Sequence, residues 1–242
     1  MEAIFSLRIV GLKGRTISDL NQYELKVYSQ NGEDGIIRAI FAKIGTSNRF
    51  CVEFGVEKGL ECNTRYLRDR RGWNCVWMDA GDGVPEPIRT EFVTAENINS
   101  LFKKYDVPPD FDLLSIDIDG NDYWVWKALE GYTPRVVVIE YNSSLPPTES
   151  KVIPYQPGFV WDGTNYFGAS LLALSKLGES KGYTLVCCEG IGVNAFFVKT
   201  ELVPNRFAVR RIEEVYRRPR FGMKTKSGYI GHPMKEGTYL SA

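Results

Sequence analysis

Acidic residues stand at or beside the ends of four short apolar runs in this 242-residue chain. Glu53 lies in Phe50-Cys51-Val52-Glu53-Phe54, and Asp79 follows Asn74-Cys75-Val76-Trp77-Met78. Asp117 and Asp119 close a run that starts at Phe111, and Glu140 follows Arg135-Val136-Val137-Val138-Ile139. In open parallel sheets, ligands bind beyond the carboxyl ends of the strands, so these tips are the first candidates for chemistry. Gly55 and Gly59 follow Glu53, where small residues let backbone approach a ligand and the next helix offers free N–H groups. A diphosphate-binding turn would have glycine at 57 and 60; this chain has Glu57 and Leu60, and Glu57 repels a diphosphate. Glu53 and Glu57 favour a ligand with positive charge.

Asp79 comes twenty residues after Gly59, where a carboxylate can accept both hydroxyls of an adenosine ribose. A cationic ligand with an unphosphorylated ribose describes S-adenosylmethionine better than NAD. The alternative is that Glu53 and Asp79 are merely exposed strand ends. At the other two tips, Asp117, Glu140 and Asn142 offer hard oxygen ligands suited to Mg²⁺ or Ca²⁺, with Asp119 as base or fourth ligand. Such an ion would hold two vicinal acceptor hydroxyls and lower the pKa of one. The competing reading makes Asp117 a cofactor contact and Asp119-Gly120-Asn121-Asp122 a turn that caps the next helix.

The elements needed to position these residues follow from periodicity. Apolar spacing predicts helices over 32–44, 63–70, 98–105, 123–129 and 169–181, and strands over 50–54, 74–78, 91–94, 111–118, 135–139, 183–188 and 195–198. Strands alternating with helices indicate a doubly wound α/β domain. The short connection through Gly190-Ile191-Gly192 makes the last two strands an antiparallel hairpin. The expected fold is therefore a seven-stranded, mostly parallel, Rossmann-like sheet with a reversed C-terminal hairpin, in one domain spanning 1–242. Residues 1–48 form a helical lead-in, 143–168 an acceptor or lid insert, and 200–242 a basic tail without a clear core face. An insert of this length is usually functional. Its Trp161, Asp162, Tyr166 and Phe167, with Tyr141 beside the fifth strand, suit stacking on a sugar face and hydrogen bonds to its hydroxyls, or a plain lid core. The lone histidine, His232, reads as a surface loop residue, and the arginines of 210–220 as a solvated helix face.

Thirty basic and thirty acidic residues give zero net charge, which disfavours nucleic acid and anionic membrane as partners. No apolar run approaches the roughly 20 residues needed to span a bilayer. The first fifteen residues lack a basic leader and a cleavage site, so a cytoplasmic location is expected. The five cysteines, an odd number without a CxxC pair, read as buried free thiols rather than a disulfide framework or zinc knuckle.

The chain resembles the FkbM-like branch of class I S-adenosylmethionine-dependent methyltransferases over roughly 28–199. The likeness rests on Tyr28-Ser29-Gln30-Asn31-Gly32-Glu33-Asp34, Val52-Glu53-Phe54-Gly55-Val56-Glu57-Lys58-Gly59, Ser115-Ile116-Asp117-Ile118-Asp119-Gly120, Val138-Ile139-Glu140-Tyr141-Asn142 and Asn194-Ala195-Phe196-Phe197-Val198. It implies cofactor contacts at Glu53, Gly55, Lys58, Gly59, Asp79, Glu96 and Asn97; Glu57, Asn63, Ala80 and Asp117 complete the expected set. It departs from the common glycine pattern at Glu57. The expected activity is O-methylation of a small polar acceptor, a sugar or nucleotide-linked sugar, assisted by a divalent metal, with a homo-oligomer left open. The alternatives are a non-catalytic ligand-binding or assembly protein on the same fold, and an NAD-dependent oxidoreductase.

Overall fold

The computed structural model describes residues 15–226 and 228–242. The reading of the first residues as free of a leader, and most of the first third of the helical lead-in, therefore lie outside the described residues. From residue 15 to 32 the lead-in is irregular apart from one 3-10 turn, Asn21–Tyr23. It becomes α-helical only at α1, Glu33–Ile44. Ile36, Ile37, Ile40, Phe41 and Ile44 recur at helical spacing and are all buried, which is what selects a helix here. Asp34 organises the preceding loop: one carboxylate oxygen accepts the N–H groups of Val27, Tyr28 and Ser29 at 2.7–2.9 Å.

The strands are β1 (Phe50–Phe54), β2 (Asn74–Asp79), β3 (Arg89–Thr90), β4 (Leu113–Ile116), β5 (Val136–Glu140), β6 (Lys151–Val152), β7 (Tyr183–Cys188), β8 (Asn194–Lys199), β9 (Lys224–Thr225), β10 (Gly228–Tyr229) and β11 (Leu240–Ser241). Seven form the central Rossmann-like sheet in the order β3-β2-β1-β4-β5-β8-β7. The remaining helices are α2 (Arg65–Arg71), α3 (Ile98–Lys104), α4 (Asp122–Ala128), α5 (Leu171–Ser180) and α6 (Ile212–Val215).

Alternation along the strands divides the core. Cys51, Leu113, Val136, Val138, Phe196 and Val198 pack with α1 and α2. Val52, Phe54, Leu114, Ile116, Val137, Ile139 and Phe197 pack with α3, α4 and α5. Each side chain alternates with its neighbour in sequence, as a strand buried on both faces requires. β8 inserts between β5 and β7 and is antiparallel to both. The reversed strand therefore sits one place in from the edge, and the edge strand β7 runs with the parallel set.

Three expectations are corrected. β3 pairs two residues earlier than the apolar run 91–94, with Met78 opposite Arg89 and Asp79 opposite Thr90. An edge strand is held on one side only, so the buried Ile88 sets its position while Phe92 stays 46% exposed over the site. Cys51 and Cys75 are not free thiols: they are register partners on β1 and β2 and are joined by a disulfide, while Cys62, Cys187 and Cys188 are free and buried. Finally, 200–242 is not a featureless tail. Val203, Phe207 and Val215 are buried, Ile17 bridges to Phe207, and β11 pairs antiparallel with β6 of the insert. Among the described residues no helix is long and apolar enough to cross a membrane.

Candidate functional site

A cleft of about 850 Å³ opens at the carboxyl ends of β1, β2, β4 and β5, the place the sheet topology favours for a ligand. Gly55, Glu57, Lys58, Asp79, Ala80, Asp117, Asp119, Glu140 and Trp161 line it, so nine of the residues singled out in the sequence meet there. Asp79 ties two loops at its mouth: one carboxylate oxygen accepts the Glu57 N–H at 2.7 Å and the other the Gly81 N–H at 2.7 Å. Each oxygen keeps a further lone pair for a ligand hydroxyl.

Several expected cofactor contacts turn out to build the turn instead. A Cβ on Gly55 would stand 1.5 Å from the Asp117 carbonyl oxygen, so this glycine allows two strand ends to approach each other. Gly59 does not line the cleft, and a Cβ there would meet the Trp77 ring at 2.8 Å. Both glycines have φ near +72°, in the left-handed region. The Glu53 carboxylate is buried beneath the turn. It accepts the N–H of Asn63 at 2.7 Å, and the N–H and hydroxyl of Thr64 at 2.9 and 2.5 Å. It thereby satisfies the start of α2, and burial raises it to about 7. Asn63 donates its amide to the Ser115 hydroxyl at 3.1 Å and also lies outside the cleft. Beyond β3, the Asn97 side chain folds the loop that leads into α3, accepting the Thr94 N–H at 2.8 Å and donating to the Phe92 carbonyl at 2.8 Å. Glu96 accepts the Tyr155 hydroxyl. Neither lines the cleft; Glu91, Phe92 and Val93 do.

Carboxylates crowd the tips of β4 and β5. Ligand oxygens of Asp117, Asp122 and Glu140 lie within 4.8 Å of one another. Burial first, then mutual repulsion, holds Asp117 and Glu140 well above the ordinary carboxylate range, and one Glu140 oxygen, Oε2, is buried without a hydrogen-bond partner. Asp122 accepts the N–H groups of Ile118 at 2.9 Å and Gly120 at 2.8 Å. It thus closes the turn into α4, and burial raises it to about 6. Asp119 occupies the left-handed region at φ +57°, a conformation Asp tolerates. Burial first, then the charges of Glu57 and Asp79, raises its carboxyl.

Asn142 is not part of this cluster. Its amide donates to the carbonyls of Asn165 at 2.8 Å and Phe167 at 2.9 Å, and its oxygen accepts the Ser144 N–H at 3.0 Å. The side chain is spent on fastening the insert. Asp122 takes the place that the sequence reading assigned to Asn142.

The insert and the C-terminal segment together roof the cleft. Phe159, Trp161, Phe221 and His232 line it from this side. Trp161 and His232 rings are 4.6 Å apart, and Phe221 and His232 are 5.1 Å apart. Four expected acceptor contacts serve this assembly from outside the cleft. Tyr141 is buried, with its hydroxyl donating to the Arg217 carbonyl at 2.7 Å. Asp162 pairs with Lys235 and accepts from Thr164 at 2.6 Å. The Tyr166 hydroxyl donates to the Thr238 carbonyl at 2.8 Å, and Phe167 is buried behind Trp161. His232, read from sequence as a surface residue, is half-buried against the aromatic rings, and burial keeps its imidazole below the usual range.

Sequence reasoning also left Gln30, Asn31, Phe159 and Phe221 out of the site, and gave Asn121 and Asp122 only as part of a turn before the next helix. A signal existed for the first pair. Glu33 accepts the Asn31 N–H at 2.8 Å and Asp34 folds the loop before it, so the acidic start of α1 places Gln30-Asn31 in the cleft. No family model matches this chain, and no curated protein is significantly similar to it.

Proposed function

We propose that this protein is an S-adenosylmethionine-dependent O-methyltransferase acting on a hydroxyl of a small polyhydroxylated acceptor, in the cytoplasm. The observation that carries the reading is Asp79. Its carboxylate stands at the tip of β2, fastened to the β1 turn, at the mouth of a cleft whose volume lies within the usual range for small-ligand sites. The donor set suits this cofactor: Asp79 would accept the ribose hydroxyls, Glu57 and Asp117 would face positive charge, and the apolar Ala80, Phe92 and Val93 would flank an adenine ring. When bound, S-adenosylmethionine supplies an electrophilic methyl group on a sulfonium.

The chain's own residues would do the rest. Asp119 would accept the proton of the attacking hydroxyl, and its raised pKa brings it closer to neutral pH, where a base works best. Asp117, Asp122 and Glu140 would hold Mg²⁺, whose Lewis acidity would make an acceptor hydroxyl more acidic. The crowding of these three carboxyls and the partnerless Glu140 Oε2 fit such an ion. The roof over the cleft would exclude water.

Titration calorimetry with S-adenosylhomocysteine and with NAD tests this. The expected result is micromolar binding of the former, none of the latter, and at least a tenfold loss in Asp79→Ala. No S-adenosylhomocysteine binding, or unchanged affinity in Asp79→Ala, would overturn the reading. A non-catalytic role on the same fold would then lead, although it gives no reason for the crowded carboxyls. An oxidoreductase using NAD is disfavoured by Glu57 and Leu60 in the glycine positions.

A further inference from the structure

Seven carboxyl-bearing side chains line the cleft, against Lys58 as its one permanent cation among the described residues. Two of the seven are neutralised locally, Glu61 by Lys26 and Glu91 by Lys104. The row of the remaining five carboxyl groups runs from the tip of β2 to that of β5. At the far end it meets an aromatic wall directly: the Phe159 ring packs on Gly120, so closely that a Cβ there would lie 2.3 Å from the ring. The ring thus lies against the turn that carries Asp119 and Asn121 on either side of that glycine. Asn121 is 4% exposed and lines the cleft. Its amide donates to the Gln156 carbonyl at 2.7 Å, but its Oδ1 is buried without a partner. A buried acceptor left open in this way costs free energy unless a donor reaches it. Trp161 continues the wall and His232 backs it at 4.6 Å.

A carboxylate, an open amide oxygen and aromatic rings are the set that recognises an ammonium group: charge and hydrogen bonds on one side, ring faces on the other. The same set repels phosphate. We infer that the acceptor carries a cationic amine, held by the Asn121 Oδ1 and the Phe159–Trp161 wall beside the cleft carboxyl groups, and that phosphorylated and nucleotide-linked acceptors are excluded. The inference rests on the proposed methyltransferase reading for the word acceptor, while the ammonium site itself stands on the cleft. His232 adds no opposing charge, because burial favours its neutral form. The Asp117, Asp122 and Glu140 trio is left for a metal ion.

Calorimetry with glucosamine, glucose and glucose 6-phosphate, with and without S-adenosylhomocysteine and Mg²⁺, tests the assignment. Glucosamine should bind at least tenfold more tightly than glucose, and glucose 6-phosphate should not bind. Phe159→Leu and Trp161→Leu should each weaken glucosamine about fivefold and leave S-adenosylhomocysteine affinity unchanged. Equal affinities for the first two sugars, tighter binding of the phosphate, absence of glucosamine binding, or competition between glucosamine and Mg²⁺ would each overturn it. Glucosamine binding without S-adenosylhomocysteine binding would keep the amine site and remove the methyltransferase reading.

Discussion

Asn142 and Glu140 are two residues apart and were read as co-ligands of one ion, yet they do opposite work. Asn142 satisfies two backbone carbonyls and one N–H of the insert, whereas Glu140 leaves an oxygen open in the carboxyl cluster. Asn142→Ala should therefore cost about 2–4 kcal/mol of stability, since it strands buried polar groups, and leave Mn²⁺ affinity within about twofold once folded. Glu140→Gln should do the reverse, weakening Mn²⁺ at least tenfold without lowering the urea midpoint, since it removes a buried carboxyl held above its ordinary range. Calorimetry and denaturation of the two variants check the pair; a loss of Mn²⁺ binding in Asn142→Ala would put that residue back among the ligands. The identity of Glu140 was legible because an acid after four apolar residues marks the end of a buried strand. The role of Asn142 was not, because the two carbonyls its amide binds lie more than twenty residues away.

Turns between elements set how the site is assembled. The Gly55 turn brings β1 against the end of β4, and Asp122 closes the next turn by accepting the Gly120 N–H. Gly120 then receives the Phe159 ring, which seats the insert on the acidic turn. Gly120→Ala should displace that ring and with it the roof. The KM for acceptor should rise at least tenfold while S-adenosylhomocysteine affinity stays within twofold, because Asp79 and the β1 turn are untouched. Equal losses for both ligands would mean that the insert does not act separately from the rest of the cleft. The positions of α1 to α5 were legible to within two residues from apolar spacing, whereas the four-residue α6 was not. The short β3 was not, since two residues of one-sided pairing leave no periodicity to read.

The whole molecule carries unusual electrostatic stress at one end of its sheet. Burial raises both Glu53 and Glu189 to about 7, from unfolded values near 4.5. Between those limits the folded chain holds more protons than the unfolded one, so stability present below about pH 4.5 is lost as pH rises to about 7. Asp122, Asp117 and Glu140 act in the same direction; His232, lowered by burial, opposes them over a narrow window below 6.5. The urea midpoint should fall between pH 5 and 7.5, with a loss of the order of 3 kcal/mol for each fully raised carboxyl. A midpoint that rises over this interval would mean that these groups are ionised in the fold.

What the sequence determined by itself was the order of elements, the parallel sheet and the acidic strand tips, because periodicity and strand ends are local properties of the chain. Tertiary structure decided which of those acids remain open to a ligand. Glu53 and Asp119 look alike as residues near strand ends, but the first is consumed by the N–H groups of Asn63 and Thr64 just before α2 and the second is not. It also decided what covers the site, since Phe159 and His232 are 73 residues apart and meet in one wall only after the C-terminal segment folds back along the insert. Hydrogen-bond competition and long-range chain return leave no periodic trace, so neither could be read before the fold was known.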